Sequence, residues 1–343
     1  MKMYLPAAVL TAIMVSCSSN EEEYKTGGLD SDAVSFSTYV NMPKRAIDYA
    51  TFVRGDQIYV NAFLSSGSMV GQEFTNNFMQ NEVLTKGFHD WSYTNMKYWP
   101  MNTTDRISFV ASYPISPTIE NGICSFDFTV NADPATQQDF LWSTITDAHR
   151  TDRNGTHQNG VVESPTSTPL DDVTLRFRHA LSKVTFNAKA AANYHGATIT
   201  VTGIEVKNFY DEGTYALTDE LATGNWTVSG QQDNNYTVLT GGTTTVDNAN
   251  YKPFGTSLLM LPQTLSTTDG TASTVTIRYT VAYQNPDRTV NEERTFNLAT
   301  TSITAWEQNK VYNYNFNIAL DMITFDAVID AWENPESPAI DVE

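Results

Sequence analysis

Short runs in which apolar and polar residues alternate recur along almost the whole chain, and this period of two constrains the fold more than any other feature. Successive side chains of a β-strand point to opposite faces, so alternation marks a strand with one face toward a core. Val34, Phe36, Thr38 and Val40 share one face of the first run, and Ile58, Val60 and Ala62 follow after the turn at Gly55-Asp56. Ile107, Phe109 and Ala111 form another, closed by Tyr113-Pro114, and Phe126, Phe128 and Val130 repeat it. Residues 146–168 then become rich in Asp, Asn, Gly, Ser, Thr and Pro, the composition of a connection or a long loop. A second series begins at Val173, Leu175 and Phe177 and continues through Val184, Phe186 and Ala188, then Ile199, Val201 and Ile204. Leu258 to Leu261 is a continuous apolar run ended by Pro262, which predicts a strand buried on both faces. Val275, Ile277, Tyr279 and Val281 alternate, as do Tyr312, Tyr314, Phe316, Ile318 and Leu320. No helical periodicity runs longer than about ten residues. The pattern predicts an all-β chain in two sandwich domains, 33–160 and 161–320.

The last run has a feature of its own. Ile323, Phe325, Ala327, Ile329 and Ala331 face one way, and Thr324, Asp326, Val328, Asp330 and Trp332 the other, before a polar tail. A terminal strand with a full apolar face must pair within its own sheet or complete another molecule's, which sets residues 321–343 apart as a candidate donor strand and tail.

The N-terminus reads as an export signal. Lys2 precedes an apolar run from Tyr4 to Val15, roughly a dozen residues and too short to cross a bilayer as a helix. It ends in Met14-Val15-Ser16-Cys17, the pattern of a bacterial lipobox in which the cysteine becomes the acylated first residue. Residues 1–16 are then the signal peptide and 17–32, opening Ser18-Ser19-Asn20-Glu21-Glu22-Glu23, a solvated acidic tether. Ser18 stands where inner-membrane retention commonly uses aspartate, which directs the lipid to the outer membrane. The formal charge of −19 becomes −20 once Lys2 is lost, and such a chain has no basic footprint for nucleic acid. Lipid on Cys17 would leave Cys124 as the one free thiol, within an alternating run that suits a small buried hydrophobe.

Motifs that could carry chemistry are weak. Arg54-Gly55-Asp56 spells an integrin-type tripeptide but falls where a turn enters a strand. His89, His149, His157, His179 and His195 lack metal-ligand spacing, so no metal and no cofactor are expected. His179 suits a structural hydrogen bond at a strand end, while His149 and His157 with Asp147 and Asp152 suit solvated loop chemistry. Trp91, Tyr93, Tyr98 and Trp99 could stack a sugar but at strand spacing suit core and rim. No phosphate loop, nucleophile elbow or Cys–His signature is present, so the chain reads as a structural protein and not an enzyme.

In order along the chain, the lipobox is followed by Val34-Ser35-Phe36, Lys44-Arg45-Ala46, Arg54-Gly55-Asp56-Gln57-Ile58-Tyr59-Val60 and Met96-Lys97-Tyr98-Trp99-Pro100. Ile107 to Pro114, Gln138-Asp139-Phe140-Leu141-Trp142, Leu175 to Val184, Leu259 to Gln263 and Trp306 to Tyr314 complete the series. Together these segments resemble the fimbrillin family, the lipoprotein precursors of type V pili of Bacteroidales and their Mfa-like accessory proteins. The resemblance implies two transthyretin-like β-sandwich domains in tandem after a lipoprotein signal peptide. It also implies cleavage after an arginine by a trypsin-like surface protease, loss of the first strand, and filling of the groove by a neighbouring subunit's terminal strand. Carried onto this chain, Cys17 is lipidated and Arg45 is the cleavage site. Val34, Phe36, Thr38 and Val40 lie on the removable strand. Ile323, Phe325, Ala327, Ile329, Ala331 and Trp332 lie on the donor. The expected partners are other pilus subunits, the Arg-specific protease, the outer membrane through lipid, and a host or bacterial surface ligand. The competing reading is an outer-membrane surface lipoprotein that binds glycan on a sandwich face and never polymerises.

Overall fold

The computed structural model describes residues 33–40, 52–69, 73–75, 77–88, 90–102, 104–150, 157–158, 172–217, 223–300, 302–320 and 322–332. Among them the chain is all β, with 24 strands and a single 3₁₀ turn at Pro134–Thr136. The first ten strands are β1 (Ser35–Val40), β2 (Gln57–Ser66), β3 (Asn77–Lys86), β4 (Trp91–Ser92), β5 (Asp105–Tyr113), β6 (Thr118–Glu120), β7 (Ile123–Thr129), β8 (Leu141–Arg150), β9 (His157–Gln158) and β10 (Asp172–His179). Eight of them make one sheet in the order β1-β10-β8-β5-β2-β3-β4, with β9 beside β8. Every ladder of this sheet is antiparallel except that of β1 with β10, which is parallel from Ser35 opposite Asp172 to Val40 opposite Phe177.

This pairing corrects one expectation. Val173, Leu175 and Phe177 were to open the second domain, but β10 completes the N-terminal sheet, so the change of sheet falls at Ala180-Leu181. Alternation reports which residues face a core and is silent on which sheet a strand joins.

The remaining strands are β11 (Ser182–Ala190), β12 (Ala197–Phe209), β13 (Glu212–Leu217), β14 (Gly224–Ser229), β15 (Asn234–Thr240), β16 (Thr245–Val246), β17 (Lys252–Pro253), β18 (Leu258–Met260), β19 (Gln263–Thr264), β20 (Thr274–Gln284), β21 (Asp287–Asn297), β22 (Ala305–Trp306), β23 (Lys310–Ile318) and β24 (Ile323–Ala331). Sheet β17-β11-β23-β24, with β18 also on β11, packs against sheet β15-β12-β20-β21, with β16 on β12. Strand β11 shows why: Ser182, Val184, Phe186, Ala188 and Ala190 are buried, and the residues between them face outward. Leu258 and Met260 are buried and Leu259 only half-buried, so this run alternates in place of being covered on both faces.

A fourth sheet, β14-β13-β7-β6, joins the two halves, because β7 pairs with β13 from Thr129 opposite Glu212 to Ser125 opposite Ala216. The β6–β7 hairpin turns on Asn121 and Gly122, both at positive φ (51° and 75°), as the right-handed twist of a two-residue hairpin requires. Two cores result. The smaller lies on one face of the N-terminal sheet around Val34, Phe36, Val60, Phe109, Leu141 and Phe177. The larger runs from the other face, through Phe63, Val110 and Trp142, across the joining sheet and into the C-terminal sandwich.

Candidate functional site

The N-terminal sheet curls so that β1, at one end, meets the chain around β4 at the other. On that side the Val34 amide donates to the Lys97 carbonyl (2.8 Å), and Ala33 forms a bridge to Tyr98. The Tyr93 hydroxyl donates to the Val34 carbonyl (2.7 Å), and Trp91 Nε1 donates to Thr38 Oγ1 (3.0 Å). On its opposite side β1 carries the parallel ladder to β10, where the Ser37 and Thr174 hydroxyls meet at 3.1 Å. Beneath it, Phe36 is 2% exposed and packs edge-on against Tyr93 and Phe109, each at 5.7 Å between ring centroids, and Val34 is 1% exposed. Burying two such side chains is worth about 1.5–3 kcal/mol each. Strand β1 therefore fills a slot with a wall on both sides and an apolar floor. No hairpin holds it there: β2, which follows it in sequence, lies elsewhere in the sheet.

Strand β24 is held differently. It is the edge of its sheet and pairs antiparallel with β23 from Ile323 opposite Ile318 to Ala331 opposite Lys310. Ile323 is buried, and Phe325 sits among Phe296, Tyr314 and Phe316 at 5.2–6.2 Å. Beyond Ala327 the cover stops. Val328 and Ile329 are 44% and 43% exposed, and Ala331 is exposed too, so the full apolar face expected of this strand is buried only over its first half. The second half is left with ladder hydrogen bonds and little packing. Trp332 ends the strand by donating its amide to the Asn309 carbonyl (2.8 Å) and stacking on His179 at 3.8 Å and 11°. His179 Nδ1 in turn meets Asp139 Oδ2 at 2.6 Å.

The other predicted residues resolve into structural roles. Cys124 is buried, and burial pushes its thiol up to about 12. The Asp56 carboxylate accepts the Val53 amide (2.8 Å), and Arg54 lies 4.1 Å over the Phe88 ring, so the tripeptide is a turn tied to its own strand. Trp91 and Trp99 are core and Tyr98 is exposed. Trp91 and Tyr93 wall the β1 slot, a role the sequence reading missed because it requires knowing that the two ends of the sheet meet. The Asp147 carboxylate accepts from Ser68 Oγ (2.6 Å) and the Met69 amide (2.7 Å), which pins the connection after β2. Among the described residues no group of three or more His, Cys, Asp or Glu could hold a metal. Cys17, Arg45 and residues 333–343 lie outside the described residues, as does the side chain of Val40.

A family model described as fimbrillin-like matches residues 45–332. The chain belongs to the fimbrillin-like family. This fimbrillin-like chain is thus a structural protein and not an enzyme, a cell-surface component of the kind that associates with pilus subunits. It is similar in fold to a fimbrial protein from Bacteroides vulgatus ATCC 8482, with a TM-score of 0.63, 15% identity, and 88% of this chain and 100% of that chain covered. It is also similar to a protein described as a candidate cell adhesion protein from Bacteroides uniformis ATCC 8492, with a TM-score of 0.50, 16% identity, and 88% and 99% covered. At these identities the two structures speak for the fold alone. No curated protein matches the chain.

Proposed function

We propose that this fimbrillin-like chain is a pilus subunit made as an outer-membrane lipoprotein on Cys17 and kept from assembling by its own first strand. A trypsin-like surface protease cuts after Arg45, β1 leaves with the lipidated segment, and the terminal strand of another subunit enters the slot. The fibre so built serves adhesion at the cell surface. The observation that carries this reading is the seat of β1. It is a strand without a hairpin to either neighbour, held by a parallel ladder on one side and by the Val34–Lys97 backbone hydrogen bond and side-chain contacts on the other, over a floor that would face water if it left. A vacated slot of this kind is a site for strand addition, in which main-chain hydrogen bonds give affinity and alternate pockets give selectivity.

Purified precursor treated with a trypsin-like protease is expected to show one early cut after Arg45 and then ladders of SDS-resistant oligomers. Deleting residues 323–343 is expected to leave the cut and abolish the ladders. Cleavage that yields monomer alone would return the chain to a lasting anchor on Cys17 with an accessory role.

A further inference from the structure

Where the N-terminal sheet meets the C-terminal sandwich, the chain leaves a cleft of about 270 Å³. Trp142 of β8, Arg178 and His179 of β10 and Lys310 of β23 line it, so both halves are needed to build it. Its charge runs against that of the molecule. The chain carries 39 acidic and 20 basic residues, yet two of the bases line this cleft and, among the described residues, no acid does. Of the neighbouring acids, Asp139 is engaged by His179 Nδ1 (2.6 Å) and Asp330 by Asn313 Nδ2 (2.9 Å).

The walls are polar. Trp142 is 3% exposed, and its Nε1 has no acceptor among the described residues. A buried donor is nearly always paired in a native fold, so this one marks a wall at which a further group completes the bonding. Gln308 Nε2 donates to Thr223 Oγ1 (3.3 Å) and to the Gly224 carbonyl (3.2 Å), which fixes the Thr223 hydroxyl at the rim. The Arg178 guanidinium lies 5.7 Å from the centroid of the Trp142 ring, a cation beside a flat aromatic surface. Ala331 is the one aliphatic side chain in the lining, so the cleft offers little to an apolar anchor.

We infer that this cleft binds a carboxylate-bearing sugar residue of a surface glycan. Arg178 and Lys310 take the carboxylate, the guanidinium through paired N–H groups and the ammonium as a point charge. Ring hydroxyls both donate and accept, so one accepts from Trp142 Nε1 while another donates to Thr223 Oγ1. At the small end of the range for ligand sites, the volume suits a single residue, such as the end or branch of a glycan chain. The site gives the adhesion proposed above a ligand class. It does not depend on strand exchange, because the cleft is complete in the uncut chain.

Titration of the uncut, full-length protein with glucuronate, glucose, inorganic phosphate and a tetraglutamate peptide tests it. Glucuronate is expected to bind with millimolar affinity, as a ligand of few atoms does, and glucose roughly tenfold more weakly. Arg178→Gln combined with Lys310→Gln is expected to weaken glucuronate binding roughly tenfold and to leave the melting temperature nearly unchanged. Glucose binding as tightly as glucuronate, or phosphate or the peptide binding more tightly, overturns the inference. So does glucuronate that fails to saturate the wild-type chain, or whose affinity survives the double substitution. A protein that binds glucuronate but forms no ladders after cleavage keeps this site and loses the strand-exchanged fibre.

Discussion

At the residue scale, burial decides what each polar group in the cores can do. Desolvation raises the Cys124 thiol to about 12 from 9.0, and it is also the largest cause raising the Tyr215, Tyr236 and Tyr314 hydroxyls above 10.0. All four keep their protons in the fold at pH values where the unfolded chain would release them. Their contribution to stability is therefore complete below about pH 9 and is lost as pH rises through 10 to 12. Each group gives a slope of about 1.4 kcal/mol per pH unit in that window. Denaturant unfolding at pH 8, 10 and 11 should show the steep loss, and the share of tyrosinate absorbance that comes from these buried rings should rise only with unfolding. At this scale the sequence was legible in strands such as β20, where Val275, Ile277, Tyr279 and Val281 are all buried as expected. The stack of Trp332 on His179 was not legible, because it joins residues of different sheets and nothing local marks it.

At the element scale, β24 is a strand of two halves. Phe325 anchors the first among Phe296, Tyr314 and Phe316, while the second depends on its ladder, the Asn313–Asp330 hydrogen bond (2.9 Å) and the Trp332 stack. An aromatic stack is worth about 0.5–1.5 kcal/mol beyond area, so Trp332→Ala is expected to speed amide exchange at Val328–Ala331 roughly fivefold. Exchange at Thr324–Ala327 and the melting temperature should stay nearly as they were, and equal acceleration along the whole strand would mean that β24 frays as one unit. The existence and face of β24 were legible from period-two spacing. Its incomplete cover was not, because cover depends on side chains from the facing sheet, such as Phe296 against Phe325, that nothing local to the strand marks.

At the scale of the whole molecule, the division at 160/161 proposed from composition meets a structure whose halves share a sheet. The β7–β13 ladder and the rings of Phe126, Phe140, Trp142 and Tyr215, at 5.1–6.4 Å, cross between them. Gly224, whose amide donates to the Tyr215 hydroxyl (3.0 Å), lies so close to that ring that a Cβ there would sit 2.4 Å from it. The two halves are expected to melt in one transition, and Gly224→Ala to lower it as a whole by several degrees; two separated calorimetric peaks would show that they unfold independently.

The parallel ladder of β1 also sets a timetable. Ser37 meets Thr174 across 137 residues of chain, so the strand that leaves the ribosome first has no ladder partner until more than a third of the protein has followed it. Long-range pairings of this kind form late, since loop closure comes before any contact can offset it. The first strand made is accordingly among the last to be seated, and it enters a sheet whose other strands can form without it. A piece added late to a framework already standing is also a piece that can be withdrawn while the framework stands.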